Sequence, residues 1–154
     1  MKFICDDNLG KLARYLRLVG CDVMYENDIS NSRLIGISLD ENRTILTRDR
    51  KIIEKTLVRE FLLIEYDQWS LQLKQVISNF NLILDKEKFF KRCLEDNIPT
   101  ISVTKESIKN LIYPYTYEHH DNFRQCPKCK RIYWHGSHAK AMLAILKQHG
   151  ILDI

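Results

Sequence analysis

The chain has 154 residues, 45% of them hydrophobic and 29% charged, which is the composition of an ordinary globular protein able to bury one core. No apolar run reaches the roughly 20 residues that span a bilayer. Asp6 and Asp7 follow the first residue too closely for a signal peptide, so we expect a cytoplasmic protein without membrane contact. Residues 1–70 carry 11 basic and 12 acidic side chains, whereas residues 71–154 carry 13 and 8. This asymmetry indicates either a metal site followed by a phosphate-binding surface, or ordinary solvated faces.

Four short apolar segments predict β-strands in the first half of the chain. They are centred on residues 3–5, 23–25, 44–47 and 61–64. Their apolar residues are continuous, as in buried parallel strands. After each of them apolar residues recur at helical spacing, and Ser30 and Ser70 are the expected N-caps of the second and fourth helices. This repeated strand–helix order predicts an α/β fold over residues 1–85, with a parallel sheet flanked by helices on both faces.

Residues 86–154 lose this alternation and predict a smaller second unit. Prolines interrupt its middle, Cys126-Pro-Lys-Cys129 follows, and a last helix is expected over Ser137–Gln148, with Ser137 as its cap. The segment has too few apolar residues to fold easily alone. We therefore expect it to pack on the first unit.

Each predicted strand is followed by a carboxylate. Asp6 and Asp7 end the first strand, and Asp28, Asp49 and Asp67 lie two or three residues beyond the next three. The carboxyl ends of parallel strands meet at one sheet edge, where α/β proteins bind ligands. Clustered carboxylates repel each other unless a cation joins them, and hard oxygen ligands select Mg²⁺ or Mn²⁺. Asp is also common in turns and helix caps, which is the alternative interpretation of each one alone.

Three motifs, in this order along the chain, resemble one known family. They are Phe3-Ile-Cys-Asp-Asp-Asn-Leu-Gly-Lys-Leu-Ala-Arg-Tyr-Leu-Arg-Leu-Val-Gly20, Ile45-Leu-Thr-Arg-Asp-Arg50 and Cys126-Pro-Lys-Cys-Lys-Arg-Ile-Tyr-Trp-His-Gly-Ser-His138. The family is the PIN-like ribonuclease domain with a C-terminal zinc ribbon, named for the last domain of the mutator-seven exonuclease. The resemblance implies a PIN-like nuclease domain over residues 1–85 and a zinc-ribbon-like segment with a closing helix over 86–154.

The resemblance also implies which carboxylates act. Asp6, Asp28 and Asp49 match the family's acidic site and are the expected catalytic residues, with Asp67 as a fourth ligand of Mg²⁺ or Mn²⁺. The family often has another acidic residue where Asn31 stands here, so one metal position is expected to be weaker.

The cysteines indicate a second metal site. Five is an odd number, and in a reducing compartment they are thiols or metal ligands rather than disulfides. Cys126 and Cys129 present half of a tetrahedral zinc site, and the resemblance implies a second pair near Cys93, where Asp96 takes the place of the other cysteine. The expected Zn²⁺ ligands are thus Cys93, Asp96, Cys126 and Cys129. The alternative fourth ligands are His119, His120, His135 and His138. A ribbon that has lost its metal and is held by packing is the other interpretation.

Basic residues in three places are the candidate contacts to RNA. They are Lys11, Arg14, Arg17, Arg48, Lys130 and Arg131. Tyr133 and Trp134 follow the last two, and aromatic rings beside cations suit base stacking next to phosphate contacts. Solvated faces, and aromatic rings that anchor the ribbon to the sheet, are the alternatives.

The leading hypothesis is a metal-dependent endoribonuclease in which Mg²⁺ or Mn²⁺ activates a water at the Asp cluster. The alternative is a non-catalytic RNA-binding module with the same fold and a decayed metal site. An interaction protein, such as one member of a toxin–antitoxin pair, is a third possibility.

Overall fold

The first half of the chain forms a parallel four-stranded sheet. We describe residues 1–152 in a computed structural model. The strands are β1 (Lys2–Cys5), β2 (Asp22–Met24), β3 (Thr44–Thr47) and β4 (Phe61–Leu63). Their order across the sheet is β2-β1-β3-β4, and all three pairings are parallel. The predicted α/β fold, a parallel sheet flanked by helices, is confirmed.

A helix follows each strand. They are α1 (Gly10–Leu18), α2 (Asn31–Glu41), α3 (Arg50–Ile53) and α4 (Trp69–Phe80). Ser30 caps α2 as expected, because its hydroxyl accepts a hydrogen bond from the amide of Arg33 at 3.2 Å. The expected cap of α4 is wrong: the helix begins at Trp69, and Ser70 is buried within its first turn.

The sheet buries both faces because successive side chains of a strand point to opposite sides. Phe3 and Cys5 of β1 belong to the larger core, which α1 and α4 cover. Ile4 between them belongs to the smaller core, together with Leu34 of α2 and Ile52 of α3. The continuous apolar strands are thus explained by helices on both faces.

The second half of the chain forms a small antiparallel sheet and two helices. The elements are β5 (Ile101–Val103), α5 (Pro114–His119), β6 (Phe123–Gln125), β7 (Ile132–Tyr133) and α6 (Ser137–Gln148). The sheet order is β5-β6-β7. Ser137 is the first residue of α6 rather than its cap, because Gly136 occupies the cap position without a side-chain hydrogen bond.

The two halves share the larger core. Phe90 and Leu94, together with Met142 and Leu146 of α6, belong to the same buried cluster as the helices α1 and α4. None of the helices within residues 1–152 combines the length and the apolarity that crossing a membrane requires.

Side chains from both halves pair with the open edge of the four-stranded sheet. The amide of Val23 in β2 donates to Asn97 Oδ1 at 2.8 Å, and Arg17 Nε donates to the Val23 carbonyl at 2.9 Å. Asn97 Nδ2 also donates to Asp22 Oδ1 at 2.7 Å. Because β2 is an edge strand, the two bonds to Val23 satisfy backbone groups that the sheet itself leaves unpaired.

Candidate acidic site and metal centre

The carboxylate of Asp6 is held at the end of the central strand β1. Its Oδ1 accepts a hydrogen bond from the Asp7 amide at 2.8 Å, and its Oδ2 accepts one from the Thr47 hydroxyl at 2.8 Å. The residue is 8% exposed. A carboxylate this enclosed keeps a fixed orientation toward the sheet edge.

Thr47 joins Asp6 to Asp49. The Asp49 amide donates to the Thr47 hydroxyl at 3.0 Å, and Asp49 Oδ1 caps α3 by accepting from the Lys51 amide at 2.9 Å. Thr47 is fully buried at the end of β3. Thr47 was not among the residues that the sequence pattern indicated for this site. The signal for it was a hydroxyl side chain at the carboxyl end of β3, two positions before an acidic residue.

Asp28 lies at the same edge but makes a different kind of contact. Its backbone adopts the left-handed conformation, with φ of 55°, and its amide donates to Asp7 Oδ1 at 2.7 Å. The Tyr25 hydroxyl donates to the Asp7 carbonyl at 2.7 Å. Asp7, expected only as a neighbour of Asp6, therefore holds the loop that follows β2.

Asp67 lies further out and is paired. Its exposed carboxylate forms an ion pair with Arg48. Within residues 1–152, the carboxylates at the sheet edge do not form a group of three or more whose ligand atoms all lie within 4.8 Å of one another. Thr47 thus links the Asp6 carboxylate to the backbone of Asp49, whereas the Asp28 backbone is bound to Asp7 and the Asp67 carboxylate to Arg48.

The expected zinc ligands, in contrast, converge. Ligand atoms of Cys93, Asp96, Cys126 and Cys129 all lie within 4.8 Å of one another, so this group can hold a metal ion. Two Sγ atoms, those of Cys93 and Cys129, are 3.8 Å apart, and Asp96 Oδ2 lies 3.3 Å from Cys126 Sγ and 3.8 Å from Cys93 Sγ.

These distances match the edges of a zinc tetrahedron. With a Zn–S bond of about 2.3 Å and a Zn–O bond of about 2.0 Å, ideal angles place two sulfurs about 3.8 Å apart and a sulfur and an oxygen about 3.5 Å apart. Within the described residues, none of the four alternative histidines joins the group. Three thiols and a carboxylate are a donor set consistent with zinc.

Two matching turns build this metal centre. The amide of Cys93 donates to the Ile98 carbonyl and the amide of Asn97 to the Cys93 carbonyl, at 2.8 and 3.0 Å. The second turn repeats both bonds, from Cys126 to the Arg131 carbonyl and from Lys130 to the Cys126 carbonyl, at 2.9 and 3.0 Å. Asn97 and Lys130 occupy the same position in their turns and share the left-handed conformation, with φ of 62° and 65°.

The hydrogen bonds of the group favour the charged form of two of its members, whereas burial raises the pKa of the Cys129 thiol. Burial disfavours the thiolate of Cys93, but hydrogen bonds from the Tyr133 hydroxyl and from two backbone amides outweigh it, and its pKa lies below the ordinary value. Hydrogen bonds from the thiols of Cys129 and Cys126 lower the pKa of Asp96. Metal binding needs ligands in their deprotonated forms, which these contacts favour for Cys93 and Asp96.

The other two cysteines are packing residues. Cys5 is fully buried in β1, and burial raises the pKa of its thiol. Cys21 packs partly buried against the larger core, and burial raises its pKa as well.

The two aromatic residues after the second turn differ in their contacts. The Tyr133 hydroxyl lies 3.2 Å from Cys93 Sγ and accepts a hydrogen bond from the Leu94 amide at 3.0 Å, so Tyr133 anchors the first turn to the second. Trp134 is only partly buried and borders two cavities.

One expected RNA contact is wrong. Arg17 is 5% exposed, and its guanidinium donates to the carbonyls of Val23 and Leu94 at 2.9 and 2.8 Å. Its spacing from Lys11 and Arg14 is that of one helix face, but the C-terminal half of the chain covers this position through the carbonyls of Leu94 and Glu95. The remaining candidates reach the surface: Lys11, Arg48, Lys130 and Arg131 are exposed, and Arg14 is half-exposed in an ion pair with Glu95.

The family model of the Mut7-C RNAse domain matches residues 1–146, which is nearly the whole chain. In the other two comparisons, no curated protein and no solved structure matches this chain.

Proposed function

Because the chain belongs to the Mut7-C RNAse domain family, which indicates a nuclease-like function with RNA as the substrate, we propose that it is a metal-dependent endoribonuclease. Its catalytic residues are Asp6, Asp28 and Asp49. The observation that carries the proposal is the buried hydroxyl of Thr47, which donates to the Asp6 carboxylate and accepts from the backbone amide of Asp49 at the carboxyl ends of the two central strands. This edge of a parallel sheet is where α/β proteins bind their ligands.

The donor chemistry of this edge fits Mg²⁺ or Mn²⁺. Mg²⁺ retains several waters and is bound by one or two carboxylates together with substrate phosphates, so a spread set of carboxylates is compatible with it. When bound, the ion would activate a water and neutralise charge on the phosphodiester. Asp6 and Asp49 would hold it, Asp28 would reach it from the loop after β2, and Asp67 would join once its ion pair with Arg48 opens.

The chain's own residues then position the RNA. Thr47 keeps the Asp6 carboxylate oriented, so that the acidic edge needs little rearrangement when substrate arrives. The positive charge for the phosphates comes from basic residues in three places. They are Lys11 and Arg14 on α1, Arg48 beside Asp49, and Lys130 and Arg131 in the turn that begins at Cys126. The cysteine group holds Zn²⁺ and thereby orders residues 86–154, which we treat as a zinc-ribbon-like unit packed on the nuclease domain of residues 1–85.

The test is cleavage of a labelled single-stranded RNA by the purified full chain with added Mg²⁺ or Mn²⁺. We expect Asp49→Asn and Asp6→Asn to abolish cleavage and to retain the circular dichroism spectrum of the parent. Asp40→Asn is the matched control, since Asp40 lies at the end of α2 next to the amino end of β3, away from the acidic edge. Undiminished cleavage by the Asp49→Asn protein would refute the assignment.

A non-catalytic RNA-binding module is the second candidate. It is favoured by the spread of the carboxylates and by Asn31, a neutral residue at the start of α2. This candidate expects salt-dependent RNA binding with no cleavage in either metal. The same assay, read together with RNA affinity, separates the two.

A further inference from the structure

A cavity lies where α1, the second metal turn and α6 meet. We call it the seam cavity. Its volume is about 200 Å³, and the buried apolar side chains of Phe90, Leu94 and Met142 are among the residues that line it. An apolar cavity of about 150 Å³ is enough to hold benzene, so the seam cavity has room for one aromatic base. Arg14 and Arg131 also line it.

Trp134 forms one wall of the seam cavity, and Gly136 allows it to do so. A Cβ atom at position 136 would overlap the indole nitrogen of Trp134. The φ of Gly136 is −94°, a value that any residue adopts, so the close approach of the indole is what requires glycine. The indole of Trp134 therefore packs directly against Gly136 beside the cavity.

The charge around the cavity favours an anion. Within residues 1–152, no carboxylate oxygen lies within 4.0 Å of the guanidinium of Arg131, which is exposed. Arg14 is paired with Glu95 but remains half-exposed. An apolar slot beside an indole, with arginines at its rim, matches the two parts of a nucleotide: the base needs stacking and the phosphate needs cations.

We propose that the seam cavity binds one nucleotide of the RNA substrate, with the base against Trp134 and the phosphate between Arg14 and Arg131. The inference rests on the proposed function, because α1 links the two sites. The helix begins at Gly10, directly after the turn that follows Asp6, and Lys11 and Arg14 lie one turn apart on it. A base must be unpaired to enter such a slot, so the substrate is single-stranded where it crosses the cavity.

The first measurement follows the indole itself. The chain has two tryptophans, so a ¹⁵N-labelled full-length Asp49→Asn protein gives two indole signals, and a Trp69→Phe variant assigns them. Titration with single-stranded hexauridylate is expected to move the Trp134 signal to saturation. An unmoved Trp134 signal at saturating hexamer overturns the proposal. Tighter binding of uridine monophosphate than of the hexamer also overturns the proposal, because the site would then bind a free nucleotide rather than RNA.

The second measurement compares matched variants by fluorescence anisotropy of a labelled hexauridylate. Arg131→Gln is expected to weaken binding about tenfold and to reduce the salt slope by about one. Arg59→Gln removes the same charge from an exposed position outside the cavity and is expected to stay within about twofold of the parent. Equal losses in the two variants overturn the proposal, since binding would then follow net charge alone.

Glycine substitutions provide an independent comparison. Gly136→Ala displaces the Trp134 ring and is expected to weaken binding about tenfold. Gly36→Ala is the control, because a Cβ atom there meets nothing within 4 Å. Parent-like affinity of a folded Gly136→Ala protein overturns the role of Trp134. If that variant does not fold, the exposed Arg131 still decides the outcome.

These results separate the cavity from the nuclease. If the parent chain cleaves RNA but the Trp134 signal does not shift with hexauridylate, the nucleotide site is refuted and the endoribonuclease proposal is not. A shifted Trp134 signal with no cleavage in Mg²⁺ or Mn²⁺ supports the nucleotide site and refutes the nuclease.

Discussion

Asn97 connects the metal centre to the sheet, and its replacement should destabilise both. Asn97→Gly leaves the buried amide of Val23 without its acceptor, at a cost of about 1–3 kcal/mol, and removes a hydrogen bond to the Asp22 carboxylate that contributes about 1.5–3 kcal/mol. We therefore expect the free energy of unfolding to fall by about 2.5–6 kcal/mol. Asn97→Ala should cost about 1 kcal/mol more, because the position has a φ of 62°.

The assay is urea unfolding followed by far-UV circular dichroism, with zinc in excess so that metal loss does not add to the effect. Asn81 is the matched control. It has a φ of 49° and is exposed at the end of α4, so Asn81→Gly should be close to neutral and Asn81→Ala should cost only the backbone strain. An Asn97→Gly variant as mild as Asn81→Gly would show that the side-chain bonds to β2 contribute nothing, and would refute this prediction.

Three further predictions concern the metal centre, the acidic edge and acid stability. Cys129→Ser should reduce the zinc content from about one per chain to near zero by elemental analysis and lower the Tm; unchanged zinc would remove this residue from the ligand set. Thr47→Val should reduce cleavage about 10- to 100-fold because the Asp6 carboxylate loses its orienting bond, and Thr47→Ser should restore it; parent-like rates in the valine variant would contradict the positioning role. Burial opposes ionisation of Asp22, but hydrogen bonds from Arg43 and from the side-chain amide of Asn97 lower its pKa overall. The charged Asp22 therefore stabilises the fold at every pH above the unfolded-state carboxyl pKa of about 4. This stabilisation is lost as the pH falls through the lower folded-state pKa. Asp22→Asn should therefore flatten the decline of stability with acid, and an unchanged acid profile would count against this assignment.

Local patterns in the chain were enough to predict the fold class. A strand with apolar residues on both faces, such as β3, needs only its own side chains to indicate burial on both sides. The spacing of Cys126 and Cys129 likewise indicates a metal turn, because the geometry of two thiolates across a tight turn is local. The acidic residues could be placed at one sheet edge because parallel strands all end there.

Long-range contacts decided what those residues do. Arg17 has the helical position of a solvated residue, yet it donates to the carbonyl of Leu94, 77 residues away. Thr47 orients Asp6 from another strand, and Asn97 satisfies the amide of Val23 across the sheet edge. Periodicity reports which face of an element a side chain occupies, whereas its hydrogen-bond partner depends on which distant segment covers that face. For this reason the sequence alone determined the strand–helix scaffold and the carboxylate and thiol residues that are candidate metal ligands. The tertiary structure decided which charged side chains reach solvent and which hold the two halves of the chain together.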